Sequence, residues 1–180
     1  MTRKTYPHIL AVNGGQVIVR PMTAVDRASM LAFARGLTEQ DLLVLRDDIT
    51  RDDVVDQWIA DLSAERAMTL LLESDGKIVG YGTLVPNRIG WTRHMAEMSI
   101  LVSAAYRNRG YGKLLTRELL LAAQDRGLEK VVLYVLADQQ GSRRMLEQQG
   151  FKPEALLADW VKTRDGRHHD LVILARVLGS

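Results

Sequence analysis

The chain reads as one α/β domain built on a mixed, mostly antiparallel sheet of about seven strands flanked by helices. Three features point there. Short runs rich in Val, Ile and Leu, such as Val17-Ile18-Val19 and Val131-Val132-Leu133, have the length and β-branched content of strands. A longer segment sets Leu115, Leu119 and Ala123 at the i, i+4, i+8 rhythm of one helix face. Asp75-Gly76 and Asp165-Gly166 are hairpin turns between apolar runs, so some strands follow one another directly while others are separated by helices. That combination gives a mixed sheet with helices on its faces.

Residues 1–15 read as a loose arm ending in the turn Asn13-Gly14-Gly15, and residues 16–178 as the single domain. Gln16 to Arg20 is a first strand, stopped by Pro21. Thr23 followed by Asp26 resembles a capping box and opens a helix over about Ala24 to Arg35, closed at Gly36. Thr50 with Asp53 repeats the device before a second helix through Val54, Val55, Trp58, Ile59 and Leu62. The connection Leu37 to Ile49 carries Glu39, Asp41, Asp47 and Asp48; it reads equally as a binding loop for a cationic amine and as a solvated surface loop.

Met68–Glu73 and Lys77–Val85 form a hairpin about Ser74-Asp75-Gly76. Pro86 to Trp91 connects to a strand ending at Val102, and the amphipathic helix follows, capped at Gly127. Lys130 to Leu136 is a buried strand, Asp138 to Gln149 a short helix closed by Gly150, and Phe151 leads into another strand. Leu156–Lys162 and His169–Val177 make the last hairpin.

With 180 residues, 47% of them hydrophobic and 26% charged, the chain is long enough for a sizeable core. A net charge of +2 is too small to argue for nucleic acid. The absence of cysteine excludes disulfides, thiolate catalysis and cysteine metal sites. No signal core or membrane-length apolar run is visible, so a cytoplasmic protein with no membrane partner is expected.

The stretch Ala96 to Gly127 organises the rest. A strand feeds a turn with two glycines and three cations, Arg107, Arg109 and Lys113, and the turn opens a helix. Glycines let a backbone approach closely, and the N–H groups of a first helical turn point at an anion. The turn reads as a pyrophosphate cradle. It is not a P-loop, because Arg107 stands at the first glycine position and Leu114 follows Lys113. It is not the dinucleotide fingerprint, because Leu115 stands at the third glycine position.

What remains is Arg-x-x-Gly-x-Gly, carried by Arg107, Gly110 and Gly112 between a strand and a helix. This resembles the acetyl-CoA signature of the GNAT N-acetyltransferases, usually Gln/Arg-x-x-Gly-x-Gly/Ala. Val102, Tyr106, Leu114 and Leu115 also match family habits, while Ala104 replaces a frequent proline. The element order agrees with the GNAT (acyl-CoA N-acyltransferase) fold over nearly the whole chain after the arm. The resemblance implies that the strands beside the cradle splay and that the pantetheine arm of acetyl-CoA, a co-substrate, lies in the gap. It implies contacts from Ile100, Leu101 and Val102, from the turn residues Arg107, Asn108, Arg109, Gly110, Tyr111, Gly112 and Lys113, and from Gln139, Ser142 and Arg143 further on. No metal is implied, and an amine acceptor is the other partner.

Acetyl transfer needs a neutral amine. A lysine-like amine is neutral in only about one molecule in 2,500 at pH 7, worth roughly 4.6 kcal/mol. A general base that takes the proton is therefore valuable. Glu97, five residues before Val102 on the strand that leads to the cradle, is the candidate; beside an apolar run it is partly desolvated. Its setting, Ala96-Glu97 with Val102, also resembles the GNAT domains of bacterial protein-lysine acetyltransferases, where a glutamate on this strand is the base. A strand-end glutamate facing water or pairing with Arg93 is the plain alternative, and Glu73 is the reserve. The family resemblance also implies that a backbone N–H near Val102 would receive the developing oxyanion.

In the second family region, Gln139 stands where many members keep asparagine. Leu146 stands where many keep a tyrosine general acid, and leucine cannot donate a proton. Tyr134 could substitute, although a tyrosine in an apolar strand is more often core. Ser142, Arg143 and Arg144 could touch the cofactor or face solvent. His168-His169 is a poor ligand pair on a strand, because neighbours face opposite sides; an acceptor contact suits it better. Trp58, Trp91 and Trp160 are core or rim residues.

Two functions follow. The first is an acetyl-CoA-dependent N-acetyltransferase acting on a protein lysine or small amine, with room for a homodimer. The second is a non-catalytic acetyl-CoA-binding sensor or regulatory module, which Leu146 favours.

Overall fold

The computed structural model describes residues 5–12, 15–43 and 45–179. Its elements, in chain order, are β1 (His8–Val12), β2 (Gly15–Pro21), α1 (Arg27–Arg35), α2 (Glu39–Leu43), α3 (Asp52–Ser63), β3 (Met68–Ser74) and β4 (Lys77–Pro86). Then come β5 (Met95–Val102), α4 (Tyr111–Asp125), β6 (Lys130–Leu136), α5 (Gln140–Glu147), β7 (Lys152–Lys162) and β8 (His168–Val177). The strands form one eight-stranded sheet in the order β1-β2-β3-β4-β5-β6-β8-β7. Only β5 and β6 pair in parallel; every other neighbouring pair is antiparallel.

The expected α/β class and mixed sheet are present, with an eighth strand. Residues 8–12, expected within a loose arm, pair with β2 from His8↔Val19 to Val12↔Gly15. Their alternation explains the placement: Leu10 and Val12 pack on the core while Ile9 faces outward. The turn residues Asn13 and Gly14 lie outside the described residues.

Helices cover both faces of the sheet, and β3 shows why its apolar run is continuous. Leu70 and Leu72 join the core under α4, with Val17, Met98, Leu115 and Leu119. Leu71, one residue out of phase, joins Met30, Leu31, Ala34, Val55 and Tyr81 under α1 and α3. A strand buried on both sides needs no polar alternation.

Three local expectations need correction. The helix expected from Ala24 begins as a single 3-10 turn, Ala24–Asp26, and becomes α-helical at Arg27. Asp26 does bind back to the Thr23 N–H, at 2.8 Å. The second box does not form: Thr50 turns its hydroxyl to Asp48 at 2.6 Å, and α3 starts after Arg51 with no side-chain cap. The Leu37–Ile49 connection contains the short helix α2.

Arg20 ties three elements together. Its guanidinium donates two bonds to Asp26, at 2.6 and 2.9 Å, and one to Glu73 on β3, at 2.6 Å. The Arg20 bonds, offset in part by burial, hold the Asp26 carboxyl below its ordinary range. A depressed carboxylate contributes stability at neutral pH that is lost as pH falls from about 3.9 through the lower folded value. Asp26→Asn should therefore lose about 1–3 kcal/mol at pH 7. Urea unfolding of both proteins should show that gap narrowing as pH is lowered past 4.

Candidate active site

The parallel pairing of β5 and β6 lasts only three rungs, Met95↔Lys130, Ala96↔Val131 and Glu97↔Val132. Beyond them the strands part. β5 stays registered to β4 as far as Gly80↔Val102, and β6 to β8 as far as Leu136↔Leu171. Each arm of this fork keeps one paired edge and turns the other to the gap. A groove of about 2000 Å³ opens there, walled by Met98 to Val102 on one side and Leu133 to Leu136 on the other.

The orientation of β5 follows from its ladder. The Ser103 N–H donates to the Val79 carbonyl at 3.0 Å, so Ser103 faces β4. Antiparallel ladders alternate residue by residue, which turns the backbone groups of Val102 and Ile100 away from β4 and toward the gap. Arg107 Nε reaches the Val102 carbonyl at 3.1 Å, consistent with that direction. Leu101, by contrast, packs its side chain with Tyr81 in the second core.

At one end of the groove the chain makes a turn and enters α4. Gly110 caps the helix at φ +84° and Asn108 sits at φ +60°, both in the left-handed region. The first bond of the helix runs from the Leu114 N–H to the Gly110 carbonyl, at 3.0 Å. The N–H groups of Tyr111, Gly112 and Lys113 therefore lack helical partners, and Gly110 has no side chain to cap them. All four residues line the groove. Gly112 also leaves room for α5, since a Cβ there would stand 3.4 Å from Met145 Cε. A chain of free amides at the positive end of a fifteen-residue helix can take an anion.

The cations expected at this cradle divide. Lys113 is exposed on the first turn and borders the groove. Arg107 instead pairs with Asp41 on α2, a carboxylate only 1% exposed, and with the Val102 carbonyl. Arg109 lies with its guanidinium 5.1 Å over the Tyr106 ring and is not part of the groove wall. Arg143 is likewise outside the wall; it turns toward the Ala137 carbonyl, 3.4 Å away, and Glu147. Gln139 and Ser142 do line it, as does Asn108.

Glu97 stands at the crotch of the fork, on the last paired rung, and borders the groove. Its partner is Arg46, from the segment between α2 and α3, rather than Arg93. The Glu97 hydrogen bond is the main cause that holds the Arg46 guanidinium more firmly protonated than usual. Arg46 also lies 5.6 Å over the ring of Tyr134 on β6. Tyr134 is thus no core residue: it is 43% exposed on the groove wall, on the strand face opposite Val131, Leu133 and Val135. Leu146 is buried, and Glu73 sits away from the groove with Arg20.

Of the four loop carboxylates, Asp41 and Asp47 border the groove, Glu39 is exposed outside it, and Asp48 bonds Thr50 and meets Arg164 at 3.3 Å. His169 lines the groove and meets Asp138 at 3.2 Å; His168 is exposed. Trp58 is held in the core region by a 2.9 Å bond to Thr69, while Trp91 and Trp160 are exposed. Arg46 was not among the residues picked from sequence. The available signal was its isolation, as the one cation in the acidic run Leu37–Ile49.

A sequence model of the acetyltransferase (GNAT) family matches residues 33–151. The ribosomal-protein-alanine N-acetyltransferase from Brucella melitensis is 25% identical with a TM-score of 0.79, over 89% of this chain and 99% of that one. The GNAT domain of S. lividans PAT gives 0.79 at 18% identity, over 96% of this chain and 97% of that one. A GNAT superfamily phosphinothricin acetyltransferase from Sinorhizobium meliloti, solved in complex with acetyl-CoA, gives 0.78 at 20% identity, over 91% and 89%. The last two likenesses establish the shared fold. Among the described residues, no helix is long and apolar enough to cross a membrane.

The fork depends on how closely β4 holds β5. A Cβ at Gly80 would meet the Leu101 carbonyl oxygen at 2.8 Å, a backbone atom that cannot swing aside. Gly80→Ala should cost about 1–3 kcal/mol in denaturant unfolding, as overpacking of a fixed contact does.

Proposed function

The chain belongs to the acetyltransferase (GNAT) family, and we propose that it moves an acetyl group from acetyl-CoA to a primary amine by direct transfer, with Glu97 as general base. The acceptor class is a protein lysine or a small amine. The observation that carries this reading is the fork itself. An opened strand pair leads from a carboxylate at Glu97 to a bare helix N-terminus at Gly110–Lys113. An extended donor with a thioester at one end and a pyrophosphate further along fits that layout.

In the reading proposed, the amides of Tyr111, Gly112 and Lys113 hold the pyrophosphate, and Lys113 adds charge. The pantetheine arm runs between β5 and β6, where backbone groups of Ile100 and Val102 bond it. Glu97 accepts the proton that an ammonium acceptor must lose. The freed nitrogen bonds the acetyl carbon while the Ile100 N–H, the gap-facing amide nearer to Glu97, faces the developing oxyanion. The C–S bond then breaks, the leaving thiolate takes up the second nitrogen proton by way of solvent, Glu97 returns its proton to solvent, and the products are an amide and the CoA thiol. No general acid is needed at Leu146, because a thiol of pKa about 8.5 leaves tolerably near neutral pH.

The sensor reading keeps two observations in its favour: Leu146 is buried and Glu97 is already held by Arg46. One measurement tests both readings and a second separates them. Calorimetric titration should show acetyl-CoA binding that weakens at least about tenfold in Gly110→Glu, which places a carboxylate among the anion donors. A thermal melt checks that the variant still folds. No binding by the unaltered protein would sink both readings. Glu97→Gln should bind acetyl-CoA normally yet turn over about 100-fold more slowly at pH 7, the usual worth of a positioned base. Tight binding with no transfer across a broad amine panel would instead favour the sensor.

A further inference from the structure

Arg46 occupies the place an acceptor amine must reach. It spans the fork, with Glu97 of β5 at one end of its guanidinium and the Tyr134 ring of β6 beneath it. Its side chain is 69% exposed while that of Glu97 is 29% exposed, so Arg46 covers the carboxylate from the open side of the groove. Arg46 comes from irregular chain between α2 and α3, which lets the cover move without disturbing a helix or strand.

Resting on the assignment of Glu97 as base, we propose that Arg46 selects the acceptor: it admits small amines that also carry a carboxylate, by exchanging its ion pair with them. The reasoning is a balance of charges. With Arg46 in place, Glu97 is neutralised by a guanidinium, and an incoming ammonium meets a positive charge where it needs a negative one. A simple amine must displace Arg46 and offers it no acceptor in return, so the guanidinium, already 69% exposed, falls back on solvent and the neighbouring Asp47. An acceptor with both charges trades one ion pair for two. Its ammonium takes Glu97 and its carboxylate takes Arg46, which swings aside while remaining paired.

The groove suits such an acceptor. Tyr134 gives its wall apolar area, and Arg88, two residues past the β4 end that pairs with Ala96, also lines the groove. Several bordering carboxylates are already committed to cations: Asp41 to Arg107, Asp53 to Arg51 and Asp61 to Arg66. Arg46 keeps its charge under all ordinary conditions, and the guanidinium fork matches a carboxylate in two parallel bonds.

The test measures CoA thiol release with glycine, β-alanine, 4-aminobutyrate and L-leucine, each against its own carboxamide. At least one acid should exceed its amide about tenfold or more in kcat/KM, since a site that bonds a substrate group rejects the analogue lacking it. Arg46→Gln should erase that preference by raising KM for the acid, while the amide holds or gains because Glu97 is uncovered. Arg46→Lys should restore part of it. Acid and amide used equally well, or a preference that survives Arg46→Gln, overturns the role of Arg46 and leaves the transferase standing. No transfer to any of these amines, or to a lysine-bearing protein, while acetyl-CoA still binds overturns the transferase reading and this inference together. Transfer to protein lysine alone overturns only the inference.

Discussion

Strands β5 and β6 pair for three rungs and then stop, and the site depends on that interruption. Backbone N–H and C=O groups in a sheet are normally paired with a neighbour, and leaving them unpaired away from water is costly. Here the outer edges of the fork remain satisfied by β4 and β8, so the strands keep their shape while the inner edges face a groove. An amide-bearing, extended ligand entering the fork would stand in for the missing strand. The pantetheine arm of the proposed donor has that chemistry.

The fork stays open because β5 is held from two directions. Gly80 permits the close backbone approach of β4, and Met98 packs with Leu115 and Leu119 of α4 under the sheet. The same helix that supports β5 from below presents its N-terminus to the groove at Gly110. One element therefore supplies both the packing that fixes the strand and the amides that would receive an anion. This economy couples the core to the cradle, and a core change at Leu119 bears on the position of the turn.

Charge is distributed to structure first. Arg107, the leading residue of the signature, is engaged by Asp41, and Arg20 by Asp26 and Glu73. In the function proposed, anion recognition then falls mainly to backbone N–H groups, whose directions are set by the helix rather than by side-chain rotamers, with Lys113 adding charge. At the other end of the groove, Arg46 and Glu97 neutralise each other across the opening. With Glu97 as the proposed base, selectivity would come from the acceptor that can break the pair.

Local pattern alone determined much of this protein. The two Asp-Gly hairpins, the apolar strands, α4 and the glycine turn were legible because each is written in neighbouring residues: alternation, the 3.6-residue rhythm, and left-handed backbone at Gly76, Gly110 and Gly166. The gap at β5 and β6 was legible only through resemblance to a family, since nothing local says where a ladder ends. Tertiary structure alone decided the pairings. β1 became a strand because β2 offered an edge, and Tyr134 left the core because its face of β6 borders the fork. Arg107 found Asp41 from 66 positions away, and Arg46 found Glu97 from 51. Ion pairs between residues so far apart in the chain have no period and no motif. They are settled by which loop the packed sheet brings over which strand end.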